Sequence, residues 1–145
     1  MIIDCVFCEI VAGNIPSSLV YSDDMVMAFM DINPVNMGHA LVIPLKHFVE
    51  LSDMDEATGM RLFQVTMRVQ KAIRASGVPC EGVNLFLADG EAAFQEVFHV
   101  HMHIFPRFKG DDFKISADWS KQPPRSELDE VAAKISGAYT EPRNS

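Results

Sequence analysis

The chain has little positive charge, few cysteines and no long apolar run. It carries 12 Lys and Arg against 20 Asp and Glu, a net charge of −8. This argues against binding along nucleic acid, because the phosphate backbone requires a basic surface. No apolar run reaches the roughly 18 residues of a membrane-spanning helix, so we expect no membrane contact. The start, Met1–Cys5, lacks a basic segment before an apolar stretch, so we expect no signal peptide and a cytoplasmic protein with reduced cysteines.

The length of 145 residues, 48% of them hydrophobic, suits one packed domain. We expect residues 1–140 to form that domain and residues 141–145 a frayed tail. The acidic balance does not exclude a small phosphorylated ligand, because a local site can oppose the global charge.

Local patterns predict more strands than helices. Strands are expected at Leu19–Ser22, Met25–Asp31, Ala40–Ile43, Val83–Ala88 and Phe98–Pro106. Helices are expected at Cys5–Ala12, at Asp55–Ala75 and from Ser126 to about Gly137. Since strands and helices do not alternate, we predict an α+β fold around an antiparallel sheet of about five strands, with one long helix and short terminal helices.

The long helix has two further expected features. Ser52 or Asp53 is expected to cap its N-terminus. Its apolar residues are expected to form one broad stripe buried in the core, and we expect this stripe to include Met60, Phe63 and Met67.

Histidine is scarce, with five in the chain, yet three alternate with apolar residues in the run His99-Val100-His101-Met102-His103-Ile104-Phe105. On a strand, the period of two places all three imidazoles on one face and turns the apolar residues to the core. Such a row can bind a metal, hold a phosphate or supply a nucleophile that is partly neutral near pH 7.

This run resembles the signature of the histidine triad (HIT) family, in which three histidines alternate with apolar residues. Three other segments, in the expected order, also resemble family motifs: Cys5-Val6-Phe7-Cys8, Asp31-Ile32-Asn33-Pro34 and Gly38–Phe48. The resemblance spans Cys5 to Arg107. It implies an antiparallel sheet with a long helix, a dimer, and hydrolysis or transfer at the α-phosphate of a nucleotide, with adenine the expected base. Substrate candidates are nucleoside phosphoramidates and dinucleoside polyphosphates.

The resemblance also implies roles for individual residues. His101 is the expected nucleophile and would form a covalent nucleotidyl-histidine. His103 and Gln95 are expected to assist at the phosphate; the alternative for Gln95 is a plain loop glutamine. Asp31 is expected to orient the ribose, with a turn aspartate before Asn33-Pro34 as the alternative. Ile32 can flank the base or belong to the core. His39 is expected either to border the phosphate or to be a structural histidine.

The pair Cys5 and Cys8 forms a C-x-x-C motif that His47 and His99 can complete to a tetrahedral Cys₂His₂ set. The resemblance to zinc-bearing, bacterial-type members of the family supports this ligand set. Four protein ligands close the coordination sphere, so the zinc is expected to be structural. The alternative is two reduced thiols and two unliganded histidines.

The chain departs from the family pattern just before the triad. Ala88 stands where an asparagine is usual, Phe94 where a glycine is usual, and Glu96 where a small polar residue is common in some branches. These changes affect the expected substrate more than the reaction type. Rival functions are a nucleotide-binding scaffold without catalysis, a nucleotidyl transferase and a zinc enzyme whose metal activates water.

Overall fold

The computed structural model describes residues 4–142. Met1–Ile3, on which the signal-peptide expectation partly rests, and residues 143–145 of the predicted tail lie outside the described part. The chain divides into two compact units, Met1–Phe113 and Lys114–Ser145. The expectation of a single domain over residues 1–140 stays a prediction.

The first unit contains a five-stranded sheet in which every neighbouring pair is antiparallel. Its spatial order is β1-β2-β3-β5-β4, so β4 is an edge strand. The strands are β1 (Leu19–Ser22), β2 (Val26–Met30), β3 (Ala40–Pro44), β4 (Gly82–Phe86) and β5 (Met102–Arg107). The predicted α+β fold with about five antiparallel strands is confirmed.

The two faces of the sheet carry different layers. One face packs against the long helix α2 (Glu56–Ala75) through a core that includes Val42, Val65 and Ile104. The other face carries the triad imidazoles and a smaller cluster in which Phe7 of the short helix α1 (Val6–Val11) packs on Phe29 and Leu41. Alternation along β3 and β5 therefore separates the structural core from the site.

Helix α2 buries only part of its predicted apolar stripe. Its inner face holds Leu62, Val65, Val69 and Ile73, with Thr66 between them. Met60, Phe63 and Met67 are 69%, 49% and 54% exposed, so the expectation that they are core residues was wrong. At 100° per residue, the apolar residues of this helix cover more than one face, and a single sheet can cover only one.

The predicted cap of α2 also needs correction. The Asp55 side chain caps the helix by accepting from the Thr58 amide. Asp53 instead belongs to a preceding 3₁₀ turn, Leu51–Asp53, and accepts from the Glu50 amide.

Strand β5 begins later than predicted, at Met102 rather than Phe98. Its pairing with β3 runs only from Ala40↔Ile104 to Val42↔Met102. Further back the amide of Val100 donates to the carbonyl of Phe48, outside the sheet, at 2.8 Å. His99 and His101 therefore lie in an irregular lead-in to β5, and only His103 lies in the strand.

The second unit contains α3 (Arg125–Ala138), which confirms the predicted third helix. Its apolar side chains Leu128, Val131 and Ile135 are exposed. Across residues 4–142, no helix is both long and apolar enough to cross a membrane.

Candidate functional site

The imidazole of His101 is fixed by its own lead-in segment. Its Nδ1 lies 2.8 Å from the backbone carbonyl of His99. A carbonyl only accepts, so the proton of the neutral ring is on Nδ1 and the lone pair is on Nε2. The Phe7 ring packs edge-on against His101 at 5.1 Å between centroids. The ring thus holds a neutral, oriented nitrogen with an available lone pair.

A second hydrogen-bond chain fixes the tautomer of His103. The amide of Val35 donates to Nδ1 of His39 at 3.1 Å, so the His39 proton is on Nε2. That nitrogen lies 2.8 Å from Nδ1 of His103. Since His39 donates there, the proton of His103 is on its own Nε2. His103 is therefore a hydrogen-bond donor at Nε2, because its Nδ1 is occupied by His39.

All three imidazoles of this group favour the neutral form. Burial lowers the pKa of His39 and of His101 below the usual value of 6.5. Burial also lowers the pKa of His103, to about 4, and the nearby rings of His101 and His39 add to the effect. The group can therefore supply a lone pair and N–H donors near pH 7, but little positive charge.

These histidines line a cleft of about 490 Å³ between α1 and the sheet. Its walls are mainly apolar and aromatic, and among the described residues none of those that line it is Lys or Arg. The principal residues of the lining are Phe7, Ile10, Phe29, Asp31, Ile32, His39, Leu41, Phe86, Phe94, Glu96, Val97, His101, His103 and Phe105. An apolar cavity with a few convergent polar groups is typical of a small-molecule site.

Asp31 lies at one end of the cleft, directly after β2. Its Oδ1 accepts from the Asn33 amide at 2.8 Å, and its Oδ2 lies 3.5 Å from Nε2 of His39. Ile32 is 90% exposed at the same end. Asp31, Ile32, His39 and His103 thus share the cleft with His101, and the binding roles expected of them stay predictions.

Gln95 does not join them. Its side chain is 4% exposed. Its Oε1 accepts from the Gly90 amide, and its Nε2 donates to the carbonyls of Val49 and Val97. These bonds occupy the amide within the connection between β4 and β5, so the geometry favours the loop-glutamine alternative over contact with phosphate.

The four predicted zinc ligands do converge. One donor atom from each of Cys5, Cys8, His47 and His99 lies within 4.8 Å of the others. Cys8 Sγ is 3.3 Å from Nδ1 of His47, and Cys5 Sγ is 3.5 Å from Nδ1 of His99. Two thiols and two imidazoles are the donor set of a closed tetrahedral zinc site.

One further observation fits a metal. Nε2 of His99 donates to the Pro44 carbonyl at 2.8 Å, which leaves the Nδ1 lone pair facing the thiols. Without a cation, burial, followed by the hydrogen bond and charge of Cys5, raises the pKa of the Cys8 thiol to about 11, so the unliganded Cys8 is a neutral thiol near pH 7.

Some contributors were not predicted from the sequence. The backbone groups of Val35 and Pro44 orient His39 and His99, and no side-chain pattern marks them. Phe86 lies at the cleft from β4, with its ring 5.8 Å from that of His103. The register Phe86↔His103 places it there, and this register becomes visible only when the two strands pair.

The sequence and fold of this chain match those of one protein family. The HIT domain matches residues 12–110, and the chain belongs to the HIT family. An uncharacterized HIT-like protein of Borreliella burgdorferi is 45% identical over 111 residues, which cover 76% of this chain and 80% of that protein. An adenosine 5'-monophosphoramidase of Schizosaccharomyces pombe is 32% identical over 136 residues, covering 90% and 98%.

Solved structures agree. A HIT family protein from Bacillus subtilis is 36% identical with a TM-score of 0.86, covering 96% of this chain and 99% of that one. A Zn-bound histidine triad family protein from Mycobacterium smegmatis is 38% identical with a TM-score of 0.73, covering 94% and 98%.

The low pKa of His103 predicts a pH-dependent contribution to stability. The folded ring has a pKa of about 4 and the unfolded ring an ordinary value of 6.5. Between pH 6.5 and 4, His103 is therefore protonated in the unfolded state but not in the folded state. The contribution of the neutral ring to the free energy of unfolding is complete above pH 6.5 and is lost as pH falls towards 4. His103→Asn removes this dependence. We expect its free energy of unfolding to fall less than that of the wild type over this range, by roughly 1–2 kcal/mol after discounting for the partial exposure of the ring.

Urea denaturation across this pH range tests the expectation. Above pH 6.5 the curves of the two proteins should run parallel, which is the internal control. If the free energies of unfolding of the two proteins changed in parallel down to pH 4, the lowered pKa of His103 would be contradicted.

Proposed function

We propose that the protein is a nucleotide hydrolase that cleaves an α-phosphate bond through a covalent nucleotidyl-histidine, with phosphoramidates of adenosine monophosphate or dinucleoside polyphosphates as substrate classes. The observation that carries the proposal is the Nδ1–H of His101 held on the His99 carbonyl, with its Nε2 lone pair available beside the Nε2–H of His103. The monophosphoramidase among the relatives supports the substrate class.

The proposed reaction has two displacements. Nε2 of His101 attacks the α-phosphorus, the bond from phosphorus to the leaving group breaks, and the leaving atom takes a proton from water. Water then attacks the same phosphorus, the P–Nε2 bond breaks, and nucleoside monophosphate leaves while the water's proton passes to solvent. The His99 carbonyl stabilises the imidazolium character of the intermediate, because Nδ1 keeps its proton throughout.

The other cleft residues have proposed binding roles. His103 donates from Nε2 to a phosphate oxygen, and His39 is a positioning residue that holds His103 in the donor tautomer. Asp31 accepts from ribose hydroxyls with a carboxylate already oriented by Asn33. Ile32 and the apolar wall beside it contact the base, for which adenine is proposed. For Gln95 we propose only that it shapes the connection before the triad.

His101→Ala tests the nucleophile. We expect kcat for an AMP phosphoramidate to fall by about 10⁴-fold or more, while Kd for AMP changes only a few-fold, because the ring supplies a bond rather than binding. Quenching in alkaline denaturant at early times should trap a base-stable, acid-labile label from the radiolabelled α-phosphate on the wild type and none on the variant.

The companion variant His103→Asn should lose less activity and still accumulate label. Turnover retained in His101→Ala would contradict the covalent pathway. Binding of AMP without any turnover by the wild type would favour the scaffold alternative.

We also propose that Cys5, Cys8, His47 and His99 bind a structural zinc ion. When bound, zinc ties the start of α1 to the lead-in segment that carries His101. The Zn-bound relative supports this assignment. The same cluster leaves no ligand position open for water, which argues against the rival zinc-hydrolase mechanism.

The Cys5→Ala/Cys8→Ala double variant tests the zinc site. A tightly occupied site contributes about 4 kcal/mol, so we expect Tm to fall by roughly 10 °C and elemental analysis to lose one zinc per chain. Cys80→Ala is the matched control, since Cys80 lies outside the cluster and its Sγ contacts the Gly82 carbonyl. Equal Tm with and without a chelator would contradict the proposal. Activity that disappears with the metal while the fold survives would support the zinc-hydrolase rival.

A homodimer is the proposed assembly, in the cytoplasm. The edge strand β4 has free backbone groups on one side, and α2 presents Met60, Phe63 and Met67 at i, i+3 and i+7 on its outer face. A second copy would bury this stripe, which soluble monomers rarely expose as a continuous patch.

Phe63→Glu should therefore halve the mass measured by light scattering at micromolar concentration. Ala72→Glu adds the same charge to an exposed position on another face of α2 and should leave the mass unchanged. A wild type of monomer mass, or equal effects of the two variants, would contradict this interface.

A further inference from the structure

One end of the cleft carries a carboxylate that the proposed chemistry does not use. Glu96 lines the cleft, and it also lines a second hollow formed with Cys5 and His47, next to the cysteine and histidine cluster. Asp31 lies at the opposite end. Met30 pairs with Ala40, and Ala40 pairs with Ile104, so Asp31, the residue after Met30, lies beside the part of β5 that follows His103. Along the cleft, His103 and His101 therefore lie between Asp31 and Glu96.

The Glu96 carboxylate is free. It makes no ion pair or hydrogen bond with any residue of the described range 4–142, and its side chain is exposed. Burial lowers the pKa of His101, and the hydrogen bond to the His99 carbonyl, the charge of Asp31 and then the charge of Glu96 oppose that effect. Glu96 therefore shares the cleft with His101 and contributes to its electrostatics.

A free carboxylate is unfavourable beside a bound phosphate. The part of the cleft lining formed by residues 4–142 contains no Lys or Arg to offset it, and the neutral histidines add no compensating charge. A substrate with further phosphates at this end would meet like-charge repulsion, whereas a substrate with a positive charge there would be attracted.

Phe94 adds an aromatic surface to the same end. It is 80% exposed and lines the cleft. Its backbone lies in the left-handed region at φ 70°, the only non-glycine residue with positive φ in the part that the structure describes. A bulky residue in this conformation is strained, and no burial of the ring offsets that strain. Aromatic faces attract cations, and a carboxylate that lines the same cleft attracts them by its charge.

From these observations we propose that Phe94 and Glu96 form a subsite for a positively charged leaving group. The inference rests on the proposed function and narrows its substrate class. With the nucleoside at the Asp31 end and the phosphate at His101 and His103, the leaving group extends towards Glu96. The preferred substrates are then nucleoside phosphoramidates of an amine that carries a second, cationic group, and dinucleoside polyphosphates are disfavoured.

The test uses two isosteric substrates and one anionic substrate. AMP is joined through a phosphoramidate nitrogen either to 1,4-diaminobutane, which leaves a free ammonium group, or to pentylamine, which ends in a methyl group. Diadenosine triphosphate is the third. We expect the wild type to prefer the cationic amidate over the neutral one by about 5-fold in kcat/KM, as for a partly exposed ion pair with a cation–π contribution, and to hydrolyse the triphosphate more slowly than either.

Glu96→Gln should reduce the ratio of cationic to neutral kcat/KM to near one and raise the rate for diadenosine triphosphate relative to the neutral amidate. Phe94→Leu, which keeps apolar bulk without the aromatic face, should reduce the first ratio by about 2-fold. Glu91→Gln is the matched control, because Glu91 is an exposed carboxylate on the same connection but does not line the cleft. It should keep the wild-type ratio. High salt should shrink the ratio of the wild type and not that of Glu96→Gln.

The outcomes separate the two proposals. Turnover of both amidates at equal kcat/KM, or a preference that survives Glu96→Gln, would overturn the subsite and leave the proposed hydrolase intact. Faster hydrolysis of diadenosine triphosphate than of the cationic amidate would also overturn it. No turnover of any of the three substrates would overturn the proposed function, and the subsite with it.

Discussion

Two backbone carbonyls determine what the histidines of this protein can do. The His99 carbonyl takes the Nδ1 proton of His101, and the Pro44 carbonyl takes the Nε2 proton of His99. In His101 the donor is Nδ1 and the lone pair is on Nε2, whereas in His99 the donor is Nε2 and the lone pair is on Nδ1. His101 therefore directs a lone pair into the cleft while His99 directs one at two thiols, although the two residues belong to the same short run.

The carbonyls are available because the sheet stops early. Pairing between β3 and β5 ends at Val42↔Met102, and Val100 hydrogen-bonds to Phe48 instead. A strand continued to Phe98 would direct more backbone groups of this segment into the ladder. Because residues 99–101 do not pair with β3, the His99 carbonyl can accept the hydrogen bond from Nδ1 of His101. The Phe7 ring then contacts both His99 and His101, so α1 covers the two imidazoles together.

Sequence reasoning predicted the architecture because it depends on patterns local to the chain. Alternation predicted five strands, and the triad spacing predicted His101 and His103 on one face, where both line the cleft. The differences between expectation and structure have a common cause, since each depends on partners distant in sequence. Phe48 decides where β5 begins, and the carbonyl of Val49 helps to hold the Gln95 amide away from the cleft. Met60 and Leu62 are equally apolar in sequence, and only the position of the sheet decides which one is buried.

The neutrality of the site has a consequence for catalysis. Phosphate-binding sites commonly use Arg or Lys, whose full positive charge stabilises the bound substrate as well as the transition state. In the proposed mechanism the donor is His103, whose pKa burial lowers to about 4, so an N–H dipole replaces a full charge. As negative charge shifts onto the phosphoryl oxygens during attack, a preoriented N–H gains more in the transition state than in the bound substrate. His39 keeps that donor in place by donating its own Nε2–H to Nδ1 of His103. In the proposed mechanism, the lining that residues 4–142 form offers the phosphate no Lys or Arg, so a single carboxylate such as Glu96 can shift the balance between substrates.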